Sequence, residues 1–435
     1  MKIAVLGGGF TGLTAAYYLQ KKGHLVTVFE KETVLGGLAA GFRVINWDWY
    51  LERTYHHIFT SDSDILSFVE EVGFDRFIFK EPVTASYYRI IPERFPHLPA
   101  GRQAFPVDTP QDFLRLPILS WPVKFRAGAI LAFLKLSPFL SVYERQTAQD
   151  FLTKTMGKEG WEILWQGLFR KKFGKYAENI LAAFIWARIK KRTKTLGYAE
   201  GGFQTLINYL EKKNTSLGID IRKGSGVDKI IKSSKFKIQS SNKTETFDVI
   251  ISTLPTPVIT KIGEDVLPSG YVKRLNQIKF LHAVTLILET EKPILEKTYW
   301  LNVTDEKIPM MAIVQHTNFM DKKHYGNHHL TYVGWYVDNN SPLLKMDKEE
   351  VVNFVKPHLR KIFNFHPPAG GPILNSFLFK APWAQPIFDK TFLKSKPNFI
   401  TPVKNFYIAN LDMTYPYDRG TNYAVKLGKE VSRFL

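Results

Sequence analysis

Residues 2–30 read KIAVLGGGFTGLTAAYYLQKKGHLVTVFE. Lys2 to Leu6 is a short apolar run of the kind that forms a buried parallel strand. Gly7-Gly8-Gly9-Phe10-Thr11-Gly12 follows at once. Thr11 to Lys22 carries Leu13, Ala16, Tyr17 and Leu19 at helical spacing, and Gly23 is placed as a helix stop. His24 to Phe29 reads as a second strand that ends on Glu30. This is the context that a G-x-G-x-x-G fingerprint requires: strand, glycine turn, helix, strand, acid. Each part has a physical task. Gly7 permits the tight turn, Gly9 lets the backbone approach a pyrophosphate, and Gly12 lets the helix pack closely on the strand. The helix N-terminus offers free N–H groups to the phosphates. Glu30 stands where a carboxylate accepts hydrogen bonds from a ribose diol, and an acid there disfavours a 2′-phosphate.

Working outward, Lys31 to Gly37 (KETVLGG) places a second glycine pair shortly after the acid. This resembles the glutathione-reductase-like flavoproteins, in particular the superfamily of amine oxidases, protoporphyrinogen oxidases and phytoene desaturases. The resemblance implies FAD, with Gly36 and Gly37 near its phosphates and ribose. Gly201-Gly202-Phe203 opening a helix, followed by Val227, is similar to a second element of that superfamily, whose Val contacts the adenine. The tail, Phe406 to Asn410 and then Arg419 to Val425 leading into a last helix, is similar to the closing motif. Ala424, Val425 and Gly428 match it. There the helix start, with Thr421 and Asn422, would face the flavin, where a positive dipole end stabilises developing negative charge. The usual Gly-Asp falls on Asn410-Leu411, with Asp412 one residue late. Either Asn410 or Asp412 is expected on the ribityl-phosphate chain.

The expected fold class is α/β, a Rossmann-like FAD-binding domain interleaved with a mixed α+β substrate domain. Residues 1–60, 196–265 and 385–435 would form the first, and 61–195 and 266–384 the second. A chain of 435 residues with 45% hydrophobic and 23% charged residues is an ordinary globular balance. Cys is absent. That excludes disulfides, Cys metal sites and a cysteinyl flavin link, so FAD is expected to be non-covalent and no metal is expected. The formal net charge of +19 attracts anions. No RNA-reading signature or zinc-finger spacing points to nucleic acid. The most apolar stretch, Ala127 to Leu140, carries Lys135 and Pro138 and falls short of the roughly 20 apolar residues needed to span a bilayer. The N-terminus lacks the form of a signal peptide, so a cytoplasmic location is expected.

The candidate active site lies in Trp49 to Asp62, WYLERTYHHIFTSD. His57, with Tyr55 beside it, is expected against flavin or substrate as a proton carrier or hydrogen-bond donor. His57-Ile58-Phe59 resembles the H-x-F segment of UDP-galactopyranose mutase, which lies over the flavin. Tyr415, Tyr417 and Asp418 resemble a tyrosine-rich segment that holds a diphosphate in that family, with Arg419 a substrate-binding candidate by proximity. At the position where many amine oxidases carry a Lys, the best register puts Thr285. Phe379 to Pro386 (FKAPWAQP) resembles a protoporphyrinogen-oxidase-like segment, and Trp383 would wall the pocket. The basic run Arg188 to Lys194 and the aromatic, basic stretch Trp121 to Leu140 are either solvated faces or a seat on an acidic membrane surface, which would suit an anionic or lipid-linked substrate. The resemblance implies hydride transfer from an organic small molecule to FAD, with reoxidation by O₂ or another acceptor. A mutase-like isomerase of a nucleotide sugar is the alternative, and a non-catalytic FAD-binding protein the third.

Overall fold

A computed structural model describes residues 1–90, 95, 97–98, 101–241, 243–362 and 372–435. Ile3, Ala4, Val5 and Leu6 are fully buried, as a parallel strand covered on both faces requires. That strand, Lys2–Leu6, is the centre of a five-stranded parallel sheet. Its neighbours are Leu25–Phe29 and then Asp220–Arg222 on one side, Val249–Ser252 and then Phe406–Ile408 on the other. The helix α1, Phe10–Lys21, joins the first two strands and packs its apolar face on the sheet. Gly12 makes that contact possible, because a Cβ there would stand 1.9 Å from the Gly7 carbonyl oxygen. An antiparallel layer of Val227–Lys232, Phe236–Ser240 and Lys243–Phe247 covers part of the sheet through Ile230, Phe236 and Phe247.

A second, seven-stranded sheet is mixed. Its long strands Phe280–Thr290, His329–Val337 and Ile373–Pro386 pair antiparallel, and Thr298–Val303 pairs parallel with Val83–Ile90. Between residues 110 and 191 the chain is helical. Two of these helices matter for function: α2, Trp121–Leu136, and α3, Ala182–Lys191. The last helix, α4, Thr421–Val431, returns to lie against α1, with Gly428 where a Cβ would meet the Thr11 carbonyl oxygen at 2.5 Å.

All five parallel strands fall within residues 1–60, 196–265 and 385–435. The boundary at 385 differs from the sequence expectation. The strand Ile373–Pro386 belongs to the mixed sheet, and Phe388 and Phe392 pack into the core of the helical region. Apolar side chains just past the strand follow the nearest core, so the chain rejoins the parallel sheet only at Phe406.

Candidate active site

The parallel strands' carboxyl ends, the starts of α1 and α4, the helical region and the mixed sheet together enclose one cavity of about 870 Å³. Single-ligand sites span roughly 300–1,000 Å³, so this one lies near the upper end of that range, as a large cofactor requires. It has two chemically different ends.

The first end is built from backbone. Gly7, Gly9, Glu30, Gly36 and Gly37 line it. The two glycine elements are tied together, since Gly36 N–H donates to the Gly8 carbonyl at 2.9 Å. Gly36 has φ +123° and a Cβ there would meet Ile207 Cδ1 at 2.6 Å, so no other residue fits. The N-cap of α1 is Gly9, which provides no capping side chain, and this leaves the helix's first N–H groups for a ligand. Glu30 is pinned by Gly8 N–H at 2.8 Å and Glu32 N–H at 2.9 Å, which fixes its carboxylate at the cavity wall. Further along, Arg53 Nε and Thr421 Oγ1 are buried without a hydrogen-bond partner among the described residues, and both residues line the cavity. Thr421 begins α4, whose N-cap, Gly420, again provides no capping side chain. Two glycine-capped helix starts, a fixed carboxylate and two orphaned buried polar atoms fit a dinucleotide such as FAD. Phosphates would take the α1 start, the ribose Glu30, and the flavin ring the region of Arg53 and Thr421.

The second end is built from side chains. His57, Tyr55, Trp383, Tyr417 and Arg419 all line it, although the sequence separates them by more than 350 residues. Tyr55 stands edge-on to Trp300 at 4.7 Å, and burial raises its hydroxyl to about 12. His57 Nδ1 lies 3.4 Å from Tyr299 Oη. Burial, with nearby cationic residues, drives its imidazole down to about 3. It is therefore neutral at pH 7, able to donate or accept a hydrogen bond. His56 is neutral for the same reason, at about 4, and its Nδ1 is 2.6 Å from the Thr54 carbonyl oxygen. Trp383 has φ +51°, a conformation few side chains adopt, and its backbone N–H donates to His282 Nδ1 at 3.3 Å. Such strain is held only where the surroundings fix it, and here it aims an indole at the cavity.

Arg419 is the decisive residue. Its half-buried guanidinium donates to the Ala384 carbonyl at 2.7 Å, to Gln385 Oε1 and to Tyr336 Oη. Among the described residues, no carboxylate lies within ion-pair distance of it. Burial lowers it to about 10, so it remains a cation at neutral pH. Lys172 and Arg188 stand nearby, sharing Asp418 at 2.6 and 3.8 Å. One carboxylate among three cations leaves this end positive. Tyr417 stacks on Tyr423 at 4.8 Å as one wall.

Several expected residues stand elsewhere. Asn410 and Asp412 are buried, but their side chains turn to the loop after Val249–Ser252: Asn410 Nδ2 donates to the Leu254 carbonyl and Thr256 Oγ1 at 3.0 Å, and Thr256 hydroxyl donates to Asp412. Leu411 lines the cavity instead. Val227 pairs with Ser240 beside a bulge and is not a cavity residue. Asn422 lines the cavity, yet its Oδ1 accepts from Ile65 N–H, so its side chain serves a neighbouring helix. Tyr415 points away, into the helical core between Phe388 and Phe392. Thr285 lies one layer back, 3.3 Å from Thr54 Oγ1. The run Arg188 to Lys194 is not a plain solvated face, because Arg188, Lys191 and Arg192 line the cavity. Arg53 went unassigned although it sits in the WYLERTY segment. Glu52 beside it is fully buried, accepts from Tyr198 Oη and Phe203 N–H at 2.7 Å, and holds that segment in place.

Residues 10–428 match the family profile of flavin-containing amine oxidoreductases. A 15-cis-phytoene desaturase from Synechococcus elongatus is 27% identical over 165 residues, 35% of this chain. The match spans only 33% of that desaturase. Among solved structures, an oxidoreductase from Methanosarcina mazei superposes with a TM-score of 0.77 at 19% identity, covering 100% of both chains. A reduced UDP-galactopyranose mutase superposes with a TM-score of 0.73 at 14% identity, covering 99% of this chain and 94% of that one. Both share the fold. With the profile matched over nearly the whole chain and a cavity suited to a dinucleotide, the chain belongs to the flavin-containing amine oxidoreductase family.

Proposed function

We propose that the protein oxidises an anionic, lipid-linked small molecule held between non-covalent FAD and the basic end of the cavity. The observation that carries this is Arg419, a half-buried cation at the cavity wall with no carboxylate partner among the described residues. A half-buried charge left so is costly unless a ligand completes it. An anionic group of the substrate would take that place, with Lys172 and Arg188 adding to the field. Trp383, Trp300 and Tyr417 would clamp the rest of the substrate and exclude water. His57 would donate or accept a hydrogen bond as a neutral imidazole. Bound FAD supplies the two-electron acceptor, to be regenerated by O₂ or another oxidant. The net charge of +19 supports work at an anionic membrane on the cytoplasmic side.

A test is anaerobic bleaching of the flavin band by a panel of substrates matched in carbon skeleton, with and without a phosphate or carboxylate. Bleaching by the anionic members, weakened by inorganic pyrophosphate, is the expected result. Equal bleaching by neutral members would overturn it. A second reading is a mutase-like isomerase, favoured by the stacked Tyr417 and Tyr423 beside Arg419. It requires product to form on the reduced protein with no net oxidation.

A further inference from the structure

The outer face of α2 is unusual for a water-facing helix. Trp121, Phe125, Phe133 and Leu136 are each more than half exposed, and Leu136 reaches 79%. Their spacing puts them on one face, with the small Ala129 and Ala132 between them. Phe139, 66% exposed, continues the strip just past the helix. The opposite face, Val123, Ala127 and Leu134, is buried in the helical core. The helix is thus apolar on both sides. A globular helix normally reserves its outer side for charge, and contiguous exposed apolar patches mark an interaction surface.

Charge says which surface. No acidic residue occurs between Asp112 and Glu144, while Arg115, Lys124, Arg126 and Lys135 all fall in that interval. Arg115, Arg126 and Lys135 are exposed. An apolar strip with a mainly cationic border, Glu159 being held against Ser120 at its start, is complementary to an anionic lipid surface, into which the rings insert while the cations meet headgroups. A second copy fits poorly, because a two-fold contact would set the same cations against one another. We propose that this face of α2, with Phe139, rests on an anionic bilayer.

The placement of α3 adds a reason. Lys135 Nζ donates to the Arg192 carbonyl at 2.8 Å, and Trp186 Nε1 and Lys190 Nζ both donate to the Ser137 carbonyl, at 2.9 and 2.8 Å. So α3 is tied to the end of α2 on one side. On its other side Phe184 and Arg188 line the cavity. The lipid-facing strip and the basic substrate end thus lie on opposite sides of the α2–α3 pair. This geometry suits an amphiphile whose tail stays in the bilayer while its anionic head reaches Arg419; that last point rests on the function proposed above, whereas the docking face does not.

The experiment is sedimentation of the flavin-loaded protein with vesicles of phosphatidylcholine alone or with about 30% phosphatidylglycerol. The expected result is binding to the anionic vesicles, weakened by salt. In the triple variant W121S/F125S/L136S the bound fraction falls at least ~10-fold, with the flavin spectrum unchanged. These side chains are exposed and do not line the cavity, so the fold should survive. A second readout is quenching of Trp121 by shallow spin-labelled lipid, identified as the emission lost in W121F. Absence of wild-type binding, binding equal in the triple variant, or a dimer that the variant makes monomeric would each overturn the proposal. Vesicle binding without bleaching by any anionic compound would leave the docking face and remove the proposed function. Turnover of a soluble anion without vesicle binding would do the reverse.

Discussion

The two ends of the cavity are made in opposite ways. At the dinucleotide end, backbone N–H groups, glycines and one carboxylate from residues 7–37 form most of the surface, with Arg53 and Thr421 added at the far side. At the substrate end, side chains from several distant segments converge, and the central charge, Arg419, lies far along the chain from His57. A surface made of backbone tolerates almost no side chain. A surface made of side chains tolerates substitution without loss of fold and changes only what is bound. The first end should therefore break completely, and the second by degrees.

Gly12→Val is the largest break. The first atom it adds would overlap the Gly7 carbonyl oxygen, and neither backbone segment can yield without opening the turn. We expect purified protein without flavin absorbance and a loss of about 1–3 kcal/mol in urea denaturation, as for overpacked cores. Yellow protein with an unshifted midpoint would mean that the turn is not the phosphate cradle.

Arg419→Met tests the other end. Removing a guanidinium that binds a charged ligand group should lower kcat/KM roughly 10- to 150-fold for the substrate found by bleaching, the equivalent of about 1.5–3 kcal/mol. Stability should stay within about 1 kcal/mol of the parent, because losing three hydrogen bonds is offset by removing a half-buried, unneutralised charge. A large stability loss with intact kcat/KM would make Arg419 a structural residue and end the argument from charge.

This contrast also explains what could be read without a structure. The strand, turn, helix and acid of residues 2–30 are one local unit whose geometry follows from spacing, so Gly7, Gly9, Gly12 and Glu30 were legible. Gly36 and Gly37 follow by resemblance, and Gly36 is bonded to the first turn. Asn410 and Asp412 were not separable in advance, because which way a side chain turns at a strand end depends on the loop opposite, here Leu254 to Thr256. Arg188 reads as one more cation in a basic run, since sequence alone does not show which face of α3 meets the cavity. Arg53 carries a signal of its own, a lone Arg in an aromatic-rich segment next to the paired histidines.

A subtler difference concerns protons. The His57 imidazole titrates near 6.5 when unfolded and near 3 when folded. Between those values the unfolded chain binds the extra proton, so His57 contributes stability that is whole above about pH 6.5 and is lost as pH falls toward 3. The loss approaches about 1.4 kcal/mol per pH unit. His57→Gln should therefore flatten the fall of unfolding free energy between pH 6.5 and 5 by that amount. Parallel curves for parent and variant would place His57 in contact with water and undo its assignment as a buried neutral group.

The smallest expected effect sharpens the comparison most. Tyr415 and Tyr417 are two residues apart and equivalent in a sequence reading, yet only Tyr417 lines the cavity, where it stacks on Tyr423. Tyr415 fills the space between Phe388 and Phe392. Tyr417→Leu keeps apolar volume but removes the flat wall, which should cost about 0.5–1.5 kcal/mol of substrate affinity, or roughly 2- to 13-fold in KM. Tyr415→Phe keeps the ring that packs the core and should leave kcat/KM within about twofold. If Tyr415→Phe instead lowered kcat/KM tenfold while Tyr417→Leu did nothing, the diphosphate-holding register of the related mutases would apply unshifted. The substrate end would then have to be redrawn around a tyrosine that packs in the helical core in this structure.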